Sequence, residues 1–211
     1  MALHSTAFRP VEKSLDVSIE SISMDKSSFD AAGSVQFNLE NGKISSAVKE
    51  KQLTLLPIEI LTALKPGGEI EKVANQYGHL HGKHLLDNLP PSDTPMGVEA
   101  LADHLAGTTA VLGIGRLRLE IQGDALLLCV RSETDPKIVS SQGYQSFVCE
   151  FWGGYLSALA KRRFDVLMLD ETAGDQRYFV GNPDSVEKVR GWTEKGVEPS
   201  VAMEKLAKGS M

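Results

Sequence analysis

Residues 116–131 read RLRLEIQGDALLLCVR, and this stretch decides the fold. Leu117, Leu119 and Ile121 alternate with polar residues, the period of a strand with one buried face. In the strand expected over Ala125 to Arg131, Leu126-Leu127-Leu128-Cys129-Val130 is apolar throughout, which predicts a central strand covered on both faces. Gly123-Asp124 supplies a two-residue turn between them. The stretch is therefore a hairpin. A second hairpin is expected further on, from Val166–Leu169 and Arg177–Val180, joined through Ala173-Gly174-Asp175.

Helical patterns separate the hairpins. In Glu69–Leu89, residues Ile70, Val73, Ala74, Tyr77, Gly78, His81 and Leu85 share one face at 3.6-residue spacing. Phe147–Ala160, FVCEFWGGYLSALA, is the second strong helix and ends in Lys161-Arg162-Arg163. Pro57 opens a short helix over Ile58–Leu64, which Lys65-Pro66-Gly67-Gly68 stops. Pro95–Leu105 reads as a shorter helix ending at Gly107. A last helix begins near Pro183, with Asp184 as its cap and Glu187 completing a capping box. Hairpins separated by helices predict an α+β fold: an antiparallel sheet with helices packed on one side. A parallel nucleotide-binding sheet does not fit.

Upstream, SVQFNLENGKISSAV at 34–48 carries Asn41-Gly42, a dipeptide suited to a two-residue hairpin turn. That turn sets Leu39 opposite Ile44 and Val35 opposite Val48. Leu15, Val17, Ile19 and Ile22 suggest another strand. The expected organisation is a leader over 1–15 and N-terminal strands over 16–50. The α+β domain then covers 51–195, with a C-terminal helix or tail over 196–211.

Apolar residues make up 42% of the 211 and charged residues 24%, ordinary globular usage. The net charge of −6 argues against a general nucleic-acid binder. Lys161-Arg162-Arg163 is the compact basic run, and it reads as a last helical turn complementing the dipole. Cys129 and Cys149 sit among apolar neighbours, as buried free thiols do. No CxxC pair is present for a cysteine-rich zinc site. The first residues lack the apolar run of a signal peptide, and no stretch approaches the ~18 apolar residues of a membrane span. A cytoplasmic location is expected.

The chemistry-bearing residues are sparse. His81 and His84 lie about 60° apart on their helix, and Asp87 continues the line. Cys149 or Glu150 would be outside candidates for a metal there. Three ligands from one helix face, with no second supporting element, make a poor site. No metal or other cofactor is expected. Cys149 stands at the start of its helix, where the dipole lowers a thiol pKa, but no histidine is near it in sequence. Asp170 and Glu171 are neighbours in a strand and point to opposite faces. Gly113-Ile114-Gly115 leads into a strand, so it is no dinucleotide cradle. No catalytic set is legible, and an enzyme is not expected.

The glycines carry the remaining information. Gly78 and Gly82 are one turn apart in a helix, where each costs about 1 kcal/mol against alanine. They predict close approach of another backbone. Gly153-Gly154 adjoins Phe147, Phe151, Trp152 and Tyr155. Large rings beside missing side chains make a close helix contact or a hollow. A hollow lined by Phe151, Tyr155 and Cys149 would be an apolar small-molecule pocket.

The order of these segments resembles the vinyl-4-reductase domain family, whose fold is shared with TRAPP vesicle-tethering subunits. The matching stretches are LTLLPIEILTAL, ANQYGHLHGKHLLDNL, GIGRLRLEIQGDALLLCVRS, FVCEFWGGYLSALAKRR and VLMLDETAGDQRYFVGNPDSVEKV, spanning about 52–190. The resemblance implies a TRAPP-like α+β domain that dimerises through helices and encloses an apolar pocket. It implies sensing of small hydrophobic molecules, a tethering scaffold, or an accessory or enzyme of tetrapyrrole metabolism, in which His81, His84 and Cys149 would act. Carried over, Cys149, Phe151, Gly153, Gly154 and Tyr155 border the pocket, with Tyr77 and Gly78 facing them. The helices of the homodimer would pack across Gly78 and Gly82, with Trp152 at the interface, or across Gly153 and Gly154. Many bacterial and archaeal members carry extra cysteines near the final hairpin, where Glu171–Tyr178 here has none. With no output module attached, a signal would pass through a protein partner.

Overall fold

The computed structural model describes residues 35–38, 43–46, 52–53, 58–88, 98–122, 125–172 and 175–209. Three short strands come first: β1 (Val35–Asn38), β2 (Lys43–Ser46) and β3 (Gln52–Leu53). A 3-10 turn over Ile58–Ala63 leads to α1 (Glu69–Asn88) and α2 (Val98–Val111). The hairpin β4 (Arg116–Gln122) and β5 (Ala125–Arg131) follows. Then come α3 (Pro136–Val139) and α4 (Gln142–Ala160). The second hairpin is β6 (Asp165–Thr172) and β7 (Asp175–Gly181), and α5 (Pro183–Thr193) and α6 (Pro199–Gly209) close the chain. The fold is α+β.

The two hairpins join through their inner strands. The main sheet has the order β4-β5-β7-β6 and every pairing is antiparallel. Alternation along β5 and β7 then divides the core. Leu128, Val130, Tyr178 and Val180 pack with Leu105, Val148, Phe151 and Trp152 on one face. Leu127, Cys129 and Phe179 pack with Val186, Val189, Ala202 and Met203 on the other. Helices therefore cover both faces of the inner strands, which corrects the expected one-sided layer. The reason is in β5 itself: its run Ala125–Val130 is apolar on both faces, and both must be removed from water.

Other boundaries moved for identifiable reasons. The first hairpin pairs Val35 with Ser46 and Phe37 with Ile44, two residues away from the register expected for an Asn41-Gly42 loop. A shift of two is even, so the alternation along the strands survives it. The turns at 41–42, 123–124 and 173–174, the expected strand at 15–22, and residues 1–15 lie outside the described residues. Helix α2 runs past Gly107, and beyond it the Thr108 and Thr109 hydroxyls donate to the His104 and Leu105 carbonyls. It ends instead at Gly113, φ 68°, where the Ile114 N–H bonds to the Thr109 carbonyl. Helix α5 is capped by Asn182, whose side chain accepts from Ser185 N at 2.8 Å. Pro183 takes the first helical position, so the cap falls one residue before it and not at Asp184.

Helix α4 starts at Gln142, five residues before the expected Phe147. Ser141 caps it, accepting from Tyr144 N at 3.3 Å. Gly143 lies against the Leu61 and Leu64 carbonyls, leaving no room for a side chain. The polar first turn carries no apolar periodicity, and its helix is fixed by this tertiary contact.

The crossing of α1 on α4 is a backbone-to-backbone contact. A Cβ at Gly78 would run into the Phe151 carbonyl oxygen and stand 3.0 Å from Tyr155 N. One at Gly154 would run into the Asn75 oxygen and stand 3.0 Å from His79 N. One at Gly82 would strike the Tyr155 carbonyl. The two backbones touch where these side chains are missing. Gly78→Ala and Gly154→Ala should each destabilise the fold by about 1–3 kcal/mol, as overpacking does, despite alanine's better helix propensity. Gly191→Ala in α5, where nothing lies within 4 Å, should instead gain up to about 1 kcal/mol. Urea unfolding of the three variants checks the pair of signs.

Candidate functional site

Helix α4 separates two environments. Residues four apart share a helix face, so Cys149, Gly153 and Ser157 point one way and Phe151 and Tyr155 the other. The structure thus divides the residues expected around one pocket. Tyr77, Phe151 and Tyr155 come together. Cys149 and Gly153 line a different space. Gly78 and Gly154 are filled by the facing helix.

On the inner side is an aromatic cluster. Phe151 and Trp152 are fully buried and meet edge to face with ring centroids 5.1 Å apart. Tyr155 meets Trp152 at 5.4 Å. From α1, Tyr77 reaches Phe151 at 5.6 Å, and His81 edges onto Tyr77 at 4.6 Å. Burial raises the pKa of Tyr77 and of Tyr155, so both remain neutral phenols. Trp152 Nε1–H is buried and has no hydrogen-bond acceptor among the described residues. Gly78, Gly82 and Trp152 were expected at an interface between subunits. All three are buried inside one chain, against its own helices.

A buried polar group lies where α4 begins. The Tyr178 hydroxyl donates to the Gln176 side-chain oxygen. Gln176 is fully buried, and its Nε2 lacks an acceptor among the described residues. Burial is the main cause that lifts the Tyr144 hydroxyl to about 12. A bulge between Met168 and Asp170 sets Asp170 opposite Arg177 and Glu171 opposite Gln176. Asp170 accepts from Arg177 Nε at 2.9 Å. The two acids are thus separated, as adjacent strand residues should be. Sequence reasoning missed Gln176 because the strand was begun at Arg177. The alternation Gln176-Tyr178-Val180 was the available signal.

On the outer side of α4 is a groove of about 1550 Å³ open to solvent, between α1, the end of α4 and the start of β6. Cys149, Glu150, Gly153 and Ser157 line it from α4, with Asn75 from α1. Asn75 donates to Glu150 Oε2 at 3.1 Å. Burial raises the Glu150 pKa, against the lowering effect of Asn75. Glu71 is held below the usual carboxylate range by hydrogen bonds from the Ser146 hydroxyl and Gly67 N–H, each 2.7 Å.

Cys149 is the eighth residue of α4, not its first. The helix dipole acts only in the first turn, so it does not activate this thiol. Burial pushes Cys149 up to about 12, and Cys129 likewise. His81 and His84 stay on α1. No group of three His, Cys, Asp or Glu among the described residues is placed to hold a metal. No helix among them is long and apolar enough to cross a membrane.

No family model and no curated protein matches the chain. Among solved structures it is similar to the phenol-responsive sensory domain of the transcription activator PoxR, determined with phenol. The TM-score is 0.50 at 13% identity, over 84% of this chain and 93% of that one. The likeness is one of fold.

Two outcomes test this description. In the folded chain at pH 7.5 (a roughly physiological value, far below either thiol), iodoacetamide should label neither cysteine; in urea it should label both, as mass spectrometry would show. Glu150→Gln removes a carboxylate whose charged form burial disfavours. For an acid with a raised folded-state pKa, stability falls as pH rises through the window above the ordinary carboxylate value. The variant should therefore melt higher than the parent at neutral pH, and the difference should vanish in acid.

Proposed function

We propose that this chain is a non-catalytic sensory domain that holds a small hydrophobic molecule bearing one hydrogen-bond acceptor. The observation that carries the reading is Trp152. It is fully buried, with an indole N–H that meets no acceptor among the described residues. A buried indole ordinarily finds a partner, and leaving it without one costs about 1–3 kcal/mol. A ligand oxygen beside Trp152 would satisfy it. The rings of Phe151 and Tyr155 would then supply the apolar contact that gives such sites their affinity. A phenol has this chemistry, and the PoxR domain of similar fold was determined with one.

The domain works as a homodimer. Since the glycine faces are used within the chain, the outer face of α1 is the surface that supports this part. Val73 and Leu80 lie seven residues apart there and are 54% and 47% exposed.

Calorimetric titration with phenol, simple alkylphenols and a medium-chain fatty acid tests the ligand. Binding of an oxygen-bearing aromatic is expected. Trp152→Phe keeps an aromatic ring and removes the donor, so affinity should fall about five- to tenfold, the worth of one hydrogen bond. Circular dichroism would verify that the variant is folded. Equal affinity in parent and variant, or no heat from any of these compounds, counts against the reading.

A further inference from the structure

The groove on the outer side of α4 is separate from the aromatic cluster, and its charge is the reverse of the chain's. The whole chain carries −6. The groove is lined by six cationic and four acidic residues. Most of those acids are already engaged. Glu71 accepts from Ser146 and Gly67, Glu150 from Asn75, and Asp165 from Arg163 at 3.1 Å. The cations are not matched in the same way. Lys72 and Arg190 pair with Glu69 and Glu187 within their own helices, at exposed positions where such pairs are worth little. Lys83, Lys161 and Arg162 line the groove and have no ion-pair partner among the described residues.

A dipole-complementing turn accounts for Lys161 and its two neighbours alone. It does not account for Lys83, which comes from α1 and lines the same groove. Arg162 lies 4.6 Å over the Phe164 ring, so the cationic rim borders an apolar surface. Phe164, Val166, Leu86 and Ala158 all line the groove. Positive rim and apolar lining together describe a binding surface.

We infer that this groove docks a short acidic segment of a partner protein, carrying apolar side chains between its carboxylates. Its volume of about 1550 Å³ exceeds the ~300–1,000 Å³ of an ordinary small-molecule site, which favours a peptide over a free anion. Nucleic acid is disfavoured by the same charge count. A long polyanion would meet the negative remainder of the surface, whereas a short peptide touches the groove alone. The inference is independent of the ligand beside Trp152, which lies on the opposite side of α4.

Fluorescence anisotropy of the full chain tests it. The probes are a labelled peptide of glutamates interspersed with leucines, its lysine counterpart, and a single-stranded oligonucleotide of equal charge. The acidic peptide should bind and weaken as salt is raised, and the lysine peptide should not bind. Lys161→Glu with Arg162→Glu should weaken binding about tenfold or more, as reversal of contacting charges does. Lys83→Glu, from a different helix, should weaken it as well and guards against a local folding defect in the first variant. Arg118→Glu on β4, away from the groove, should change nothing. Failure of the acidic peptide to bind at low salt overturns the inference. So does binding indifferent to both groove variants, or tighter groove binding by the oligonucleotide.

Discussion

The contact of one helix backbone on another governs this structure. Gly78 and Gly82 on α1 and Gly154 on α4 remove the side chains that would hold the helices apart. Ordinary helix packing sets axes 8–10 Å apart by side-chain size, and each glycine here removes that spacer. Gly153 contributes less, since a Cβ there would stand 3.3 Å from the Phe164 carbonyl oxygen. Each mid-helix glycine costs about 1 kcal/mol in propensity, and the close packing must offset that cost. In this crossing Asn75 contributes twice. Its backbone oxygen lies against Gly154, and its side chain holds Glu150.

The sheet imposes the second constraint. Because β5 and β7 are apolar on both faces, a layer formed by α1, α2 and α4 cannot finish the core. Helices α5 and α6 complete it from the other side. The edge strand β4 is not covered in that way: an exposed Arg118 and a half-buried Glu120 pair with each other at 3.1 Å. Charged side chains on an edge strand discourage further strand pairing. The sheet thus closes its inner strands with helices and protects one edge with charge.

Much of the fold was legible because it is local. The hairpin of 116–131 is written in alternation and a turn, and its strands fall within a residue of the expected limits. The glycine helices were legible as signals of close approach. What covers them was not, since a sequence names a missing side chain and not the neighbour that fills the gap. At Gly78, Gly82 and Gly154 the gap is filled by backbone of the same chain. The start of α4 was lost for a related reason: Leu61 and Leu64 pack on Gly143 from far away in the sequence, a contact invisible to periodicity. Cys149 then changed its chemistry without changing its environment. Once the helix starts at Gln142, the residue is interior and its thiol neutral.

The aromatic cluster and the charged groove are both built on α4, on opposite sides of it. The carbonyl contacts at Gly78, Gly82 and Gly154 limit how α4 can respond to anything beside Trp152. It cannot slide along α1 without driving a carbonyl into a helix backbone. Rotation about the crossing is the softer motion, because a glycine contact acts as a pivot. Such a rotation changes the distance between Lys83 on α1 and Lys161 at the end of α4, the two sides of the groove. A ligand that altered the crossing angle would therefore alter the spacing of the cations with no further moving part. Coupling between the two sites requires only that each occupant prefer a different angle.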